Sequence, residues 1–191
     1  MYILFEGIDG VGKSTQIECV SQIFKDAFIT KEPGGTAFGE ILREILLGGK
    51  FSLSKRAEIL LFLADRAETM DKILSKNSFV ISDRGLISGI AYALKNGDFD
   101  INELVFLNKF ALNGLLPDKV VLFYATKELI LSRLNGRGGF DSIEKRGVEY
   151  LLGVQDAMRE ACELLNLNTL IIDASLNKNQ ITKEIEKFIK D

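Results

Sequence analysis

Five short apolar runs recur along the chain, Tyr2 to Phe5, Ala27 to Ile29, Phe79 to Ile81, Val120 to Phe123 and Leu170 to Ile172, and longer stretches with helical spacing separate them. Runs that are apolar at nearly every position have no wet face, so they predict strands buried on both sides. Strands of that kind alternating with helices predict an α/β fold, a five-stranded parallel sheet with helices on both faces. The first helix follows Lys13, with Ile17, Val20, Ile23 and Phe24 as its buried stripe. A second carries Ile41, Leu42, Ile45 and Leu46 on one face and stops at Gly48 and Gly49. Ser54 to Ser75 predicts a long helix with Ile59, Leu60, Leu63, Ala67 and Met70 in its core stripe. Phe62 and Arg66 lie one turn apart along the edge of that stripe, either projecting together into a site or serving as a peripheral ring and a solvated cation.

Further helices are predicted over Leu86 to Leu94, over Ile101 to Leu116 with Pro117 as its stop, from Lys127, up to about Asn166, and at the end of the chain with Ile181, Ile185 and Phe188 inward. The Ile101 to Leu116 helix is apolar at Leu104, Leu107, Ala111 and Leu112, which suits a core element or a subunit interface equally. There is no internal repeat and no low-complexity tract, so residues 1–191 are expected to form one domain, with a lid at about 134–146.

Between the first strand and the first helix stands Phe5-Glu6-Gly7-Ile8-Asp9-Gly10-Val11-Gly12-Lys13-Ser14-Thr15, in which Gly7, Gly12, Lys13 and Ser14 match the GxxxxGK(S/T) spacing. Glycines let successive backbone N–H groups turn inward, and the helix N-terminus behind them favours anions, so a strand-loop-helix of this form predicts a phosphate cradle. Lys13 would reach the terminal phosphates and the Ser14 hydroxyl would contact Mg²⁺.

Composition narrows the chemistry. The chain has 24 Lys and Arg against 27 Asp and Glu, a net charge of −3, which argues against a general nucleic-acid or anionic-membrane partner and makes any anion binding local. No apolar run approaches the ~18 residues that would span a bilayer, and the expected location is cytoplasmic. With no histidine, His-metal sites, Ser-His triads and His general bases are excluded. Cys19 and Cys162 fall inside helical patterns and read as buried thiols.

Ligands of parallel sheets sit beyond the carboxyl ends of the strands, where Asp9, Glu32, Asp83 and Tyr124 fall. Asp83 is placed either to hold Mg²⁺ through water or to cap the next helix. Arg137, set among Gly136, Gly138 and Gly139, stands in a basic flap that suits an arginine arriving over the phosphates with substrate. Together these parts predict phosphoryl transfer. A kinase for another small acceptor such as dUMP, UMP or shikimate, and a nucleotide-dependent switch without kinase activity, are the rivals. The absence of an Asn-Lys-x-Asp guanine reader after Phe123 or Ile172 weighs against the switch.

The motifs FEGIDGVGKST, KEPGGT, LLFLADRAE, SDR followed by Ala91-Tyr92, and SRLNGRG resemble, in this order and over nearly the whole chain, the thymidylate kinase family. The resemblance implies a P-loop nucleotide kinase fold and an ATP- and Mg²⁺-dependent enzyme, a homodimer, that turns dTMP into dTDP. It implies that Gly7, Ile8, Asp9, Gly10, Val11, Gly12, Lys13, Ser14 and Thr15 hold ATP, with Arg133 near the adenosine, and that Ser14 and Asp83 serve the metal. For the acceptor it implies Asp9, Phe62 stacked on thymine, Arg66 on a thymine carbonyl, Arg84 on the phosphate, Ser88 and Gly89 by the base, and Tyr92 against a ribose 2′-hydroxyl. Lys13, Asp9, Arg84 and Arg137 are the implied catalytic set, with the arginine supplied from the lid as in similar bacterial enzymes, since Gly10 offers none. The chain departs from the family at Lys31, Gly85, Ala93, Gly89 and Ser142. Gly89 removes a side chain that usually reads the base edge, leaving that task to Ser88, the backbone or another group. Ser142 replaces a common lid arginine, which enlarges the share of Arg137 or passes part of it to Lys145 or Arg146.

Overall fold

The computed structural model describes residues 1–135 and 147–191; Arg137, Ser142, Lys145, Arg146 and most of the predicted lid lie outside the described residues. Five strands, β1 (Tyr2–Glu6), β2 (Phe28–Lys31), β3 (Val80–Asp83), β4 (Lys119–Tyr124) and β5 (Thr169–Asp173), form one parallel sheet in the order β2-β3-β1-β4-β5. Register aligns Phe5 with Asp83 on one side and with Val121 on the other, so the loops after β1 and β3 emerge side by side. Every residue of β1 is buried, which requires cover on both faces. Phe5 and Phe123 meet across the sheet with ring centroids 6.1 Å apart, and each such side chain fully removed from water contributes roughly 1.5–3 kcal/mol. β2 is an edge strand, and Phe28 and Ile29 are exposed there.

Among the described residues eight α-helices surround the sheet: α1 (Lys13–Ile23), α2 (Ala37–Leu47), α3 (Lys55–Thr69), α4 (Leu86–Asn96), α5 (Ile101–Ala111), α6 (Lys127–Asn135), α7 (Val148–Leu164) and α8 (Lys178–Lys190). α1 packs with α8, while α4 is the hub for α3, α5 and α7. Side-chain caps start several of them: Thr36, Ser54, Asp100 and Asn177 each accept from a backbone N–H of the first turn, satisfying donors that the helix itself leaves open. Cys162 is buried and Cys19 half-buried, both as free thiols.

Three expectations are corrected. The Ser54 to Ser75 helix is α-helical only to Thr69 and continues as a π-helical turn over Met70–Leu74. Its inner face is mixed: Leu63 is buried and Ile59 and Met70 pack on the core as expected, but Asp65, Arg66 and Thr69 are buried beside them, while Leu60 is 60 % exposed. Ile41 and Ile23 are likewise exposed, on helices whose inner stripes are narrower than their apolar residues suggest. The α5 helix ends at Ala111 instead of running to Leu116, because Asn113 and Gly114 adopt positive φ (48° and 78°), the left-handed turn that terminates a helix ahead of Pro117.

Candidate active site

The β1–α1 loop has the backbone of an anion cradle. Gly12, immediately before α1, takes φ 100°, a left-handed conformation that a side chain would strain. At Gly7 a Cβ would stand 3.0 Å from both Cβ and O of Phe123, so the loop can lie against β4 only without one. Ile8 and Val11 send their side chains into the core, which leaves their backbone to face the loop. Ser14 and Thr15 are exposed at the start of α1. Lys13 is buried, with Nζ donating to the carbonyls of Gly7 (2.9 Å) and Ile8 (2.8 Å). Burial first, and Arg84 second, pull its amine down to about 7.

Arg84 leaves the end of β3 with φ 70°, and that left-handed backbone accompanies a guanidinium lying back over the β1–α1 loop. Its Nη1 donates to Gly7 O and Ser88 Oγ, both at 2.9 Å, and its Nη2 meets Asp9 Oδ1 at 2.7 Å. Ser88 in turn donates to Glu6, whose Oε1 also accepts the backbone N–H groups of Gly85 (3.0 Å) and Ser88 (3.1 Å). Burial pushes the Glu6 carboxyl up, against the hydrogen bonds from Ser88 that pull it down. Glu6 therefore ties β1 to the first turn of α4.

Ser14 Oγ and Asp83 Oδ2 are 3.3 Å apart, and Asp83 Oδ1 is buried with no hydrogen-bond partner among the described residues. One hydroxyl and one carboxylate with an uncommitted oxygen, at the mouth of a phosphate cradle, fit Mg²⁺, which keeps most of its shell as water and phosphate oxygens. Among the described residues no cluster of three or more metal-ligating side chains exists, consistent with that sparse donor set. Arg133 at the end of α6 donates to Gly10 O (2.9 Å) and Ala174 O (2.6 Å), bracing the loop against the segment after β5.

Two cavities meet here. One, about 320 Å³, is lined by Gly10, Gly12, Lys13, Ser14, Thr15 and Asp83 among others. The second, about 270 Å³, is bordered by Phe62, Arg66, Ser88, Gly89 and Tyr92 together with Tyr150, Asn96 and other residues. Asp9, Glu32, Arg43 and Arg84 border both, so the cavities share a wall. The second is deeper and largely apolar, with a few converging polar groups, the usual form of a small-molecule site. All seven residues predicted for an acceptor thus face one space. The Arg84 guanidinium also stands 5.7 Å from the Tyr92 ring centroid. Burial pushes the Tyr92 phenol up, and its hydroxyl has no hydrogen-bond partner among the described residues.

In the lining of the second cavity Arg66 is 2 % exposed. Its Nη2 pairs with Glu32 Oε2 at 2.8 Å and its Nη1 donates to Asn108 Oδ1 at 2.5 Å. Burial raises the Glu32 carboxyl to about 7, opposed by Arg66 and reinforced by Asp65. Sequence reasoning did not single out Glu6, Arg43 or Asn108. Glu6 carried a usable signal, a carboxylate inside an otherwise apolar strand, and Asn108 another, a polar residue within the Leu104 to Ala111 stripe. Arg43, which donates to Pro33 O at 2.7 Å, carried none.

A phosphate-binding loop at the carboxyl edge of a parallel sheet, opening through a shared wall into a cavity shaped for a second small molecule, defines a P-loop kinase of the nucleotide type. A sequence profile described as thymidylate kinase matches residues 5–185. Thymidylate kinases of Campylobacter curvus and Campylobacter concisus are 55 % and 57 % identical, the alignments covering 100 % and 99 % of this chain and 100 % and 98 % of those proteins. Among solved structures, a thymidylate kinase from Candida albicans superposes with a TM-score of 0.77 at 26 % identity, covering 99 % of this chain and 90 % of that one. One from Ehrlichia chaffeensis gives 0.75 at 26 % identity, covering 100 % and 98 %. The chain belongs to the thymidylate kinase family.

Proposed function

We propose that residues 1–191 work as one ATP-dependent nucleoside monophosphate kinase unit that converts dTMP to dTDP, with ATP in the cavity of the β1–α1 loop and dTMP in the cavity behind Phe62. The observation that carries this is the shared wall: Asp9 and Arg84 border both spaces, so a donor phosphate and an acceptor phosphate would meet there. A phosphate oxygen of dTMP attacks the γ-phosphorus of ATP, the bond to the β–γ bridging oxygen breaks, and ADP leaves. Transfer of this kind asks the protein mainly for alignment and positive charge. Backbone N–H groups of Gly7 to Ser14 and the Lys13 ammonium hold the donor. Arg84, anchored through Ser88 and Asp9, holds the acceptor phosphate. Ser14 and Asp83 would hold Mg²⁺, which when bound neutralises charge on the phosphate oxygens. Arg137 of the 134–146 lid supplies the remaining positive charge over the transferring group, and Arg133 borders the adenosine.

Phe62 presents a ring face to thymine, Arg66 donors to a base carbonyl, and Tyr92 bulk against a 2′-hydroxyl. The setting is cytoplasmic, where both substrates are dissolved, and the working form is a homodimer. Phe106 and Phe110, one turn apart on α5 and 69 % and 78 % exposed, support that assembly. A coupled ADP-release assay over dTMP, dUMP, dCMP, UMP and shikimate tests the acceptor. The expected result is strong preference for dTMP, with turnover depressed by about 10³ to 10⁵ in Arg137→Ala and by orders of magnitude in Lys13→Ala. Comparable rates on all pyrimidines would defeat the dTMP assignment, and normal turnover by Arg137→Ala would remove the lid arginine.

A further inference from the structure

Where Gly89 and Ala93 line the acceptor cavity, α4 offers no polar side chain. We infer that Asn108 of α5, with Gly89 of α4, takes over the setting of base specificity by positioning Arg66, an inference that rests on the dTMP reading above. The guanidinium lies so close against α4 that a Cβ at Gly89 would stand 2.8 Å from Nη1, 3.2 Å from Nη2 and 3.4 Å from Cζ. A side chain at that position would push the end of the Arg66 side chain out of its present place. What holds the guanidinium in that space is an anion at one end and an acceptor at the other: the Glu32 carboxylate pairs with Nη2 at 2.8 Å and Asn108 Oδ1 accepts from Nη1.

Asn108 is itself immobilised. It is 2 % exposed, and its Nδ2 donates to Leu104 O at 2.7 Å, one turn back along α5, which fixes the amide so that the oxygen points at Arg66. With Glu32 alone the planar fork keeps freedom to swing about its one anchored nitrogen. With both partners its plane is set: Asn108 accepts one Nη1 hydrogen and the Glu32 carboxylate faces Nη2 as an ion pair, which leaves the other Nη1 hydrogen and the Nη2 hydrogens as donors without a hydrogen-bond acceptor among the described residues. A base carbonyl satisfies such a donor. A 4-amino pyrimidine sets donor against donor in a dry pocket, and that mismatch discriminates strongly because neither group regains water. Asn108 thus acts as a positioning residue, through Arg66, for 4-oxo against 4-amino pyrimidines.

The test compares dTMP with 5-methyl-dCMP, which keeps the methyl group and exchanges only the carbonyl for an amine. Two substitutions displace Arg66 by different routes. Asn108→Leu removes the acceptor, and Gly89→Ala inserts the clashing Cβ while improving the intrinsic helix preference of α4. In each, KM for dTMP is expected to rise about tenfold or more, with the loss falling on KM rather than kcat. The ratio of kcat/KM for dTMP over 5-methyl-dCMP is expected to fall by at least about tenfold, the scale of one lost hydrogen bond to a charged group. Calorimetric dissociation constants replace kcat/KM if the amino analogue turns over too slowly. Should Asn108→Leu fail to fold, Gly89→Ala decides. A folded variant that keeps both KM and the ratio within about twofold of the parent overturns the inference, as does a KM rise equal for the two acceptors. A parent protein that leaves dTMP unphosphorylated overturns the functional reading and this inference together, whereas an active parent with insensitive variants overturns the inference alone.

Discussion

Removing the Glu6 carboxylate probes the joint between the phosphate loop and α4. Glu6 is fully buried and accepts from Gly85 N–H, Ser88 N–H and the Ser88 hydroxyl. In Glu6→Ala the two backbone donors of the α4 first turn are left buried without partners, at about 1–3 kcal/mol each, so a loss of about 2–6 kcal/mol is expected. That is a large part of the roughly 5–15 kcal/mol that holds a domain of this size together. Glu6→Gln separates the two functions of the carboxylate. Its carbonyl oxygen can still take both amides, but its NH₂ faces the Ser88 hydroxyl, which already accepts from Arg84 Nη1. The Ser88 hydroxyl then loses the acceptor for its own hydrogen and must turn to find another, and the hold on Arg84 weakens. Expected outcomes are a stability loss near ~1 kcal/mol and a higher KM for dTMP in Glu6→Gln, against the larger loss in Glu6→Ala. Urea unfolding followed by circular dichroism, with the m-value unchanged, reads the first, and the ADP-release assay reads the second. An alanine variant within about 0.5 kcal/mol of the parent at equal m would refute the claim that this carboxylate caps α4.

Glu32 gives a pH-dependent contrast. Its folded value of about 7 lies above its ordinary 4.5, so the associated stability is fully present below about 4.5 and lost as pH rises through about 7. Relative to Glu32→Gln, the parent should lose stability of order 3 kcal/mol between about pH 4 and about pH 8 in urea titrations; a difference that stays constant across that range would contradict the burial-dominated shift. For the dimer, Phe106→Glu combined with Phe110→Glu should shift sedimentation from dimer to monomer at micromolar protein, and a parent that sediments as a monomer would dismiss that assembly.

The strands and the phosphate loop were legible because their signals are local: near-continuous apolar runs mark the strands, and the glycine spacing of residues 7–14 specifies its own backbone. The inner face of α3 was not. Hydrophobic periodicity points to Leu60, whereas the structure buries Asp65 and Arg66, whose partners Gly34, Glu32 and Asn108 come from distant segments. Burial of charge depends on such partners, and no window of neighbouring residues contains them. The end of α5 was missed for a smaller reason: Asn113-Gly114 is itself a stop signal, and Pro117 drew attention past it.

α4 runs from the loop beside Arg84, past Ser88 and Gly89 to Tyr92, along the whole acceptor cavity. A helix is stiff, and the four steps from Gly85 to Gly89 advance it by roughly 6 Å. Arg84 at the end of β3, which donates to Ser88, and Arg66 of α3, which rests beside Gly89, thus meet that one helix at two neighbouring places. A helix with a phosphate-binding group at one place and a base-facing group a turn further on suits an acceptor that carries both a phosphate and a base.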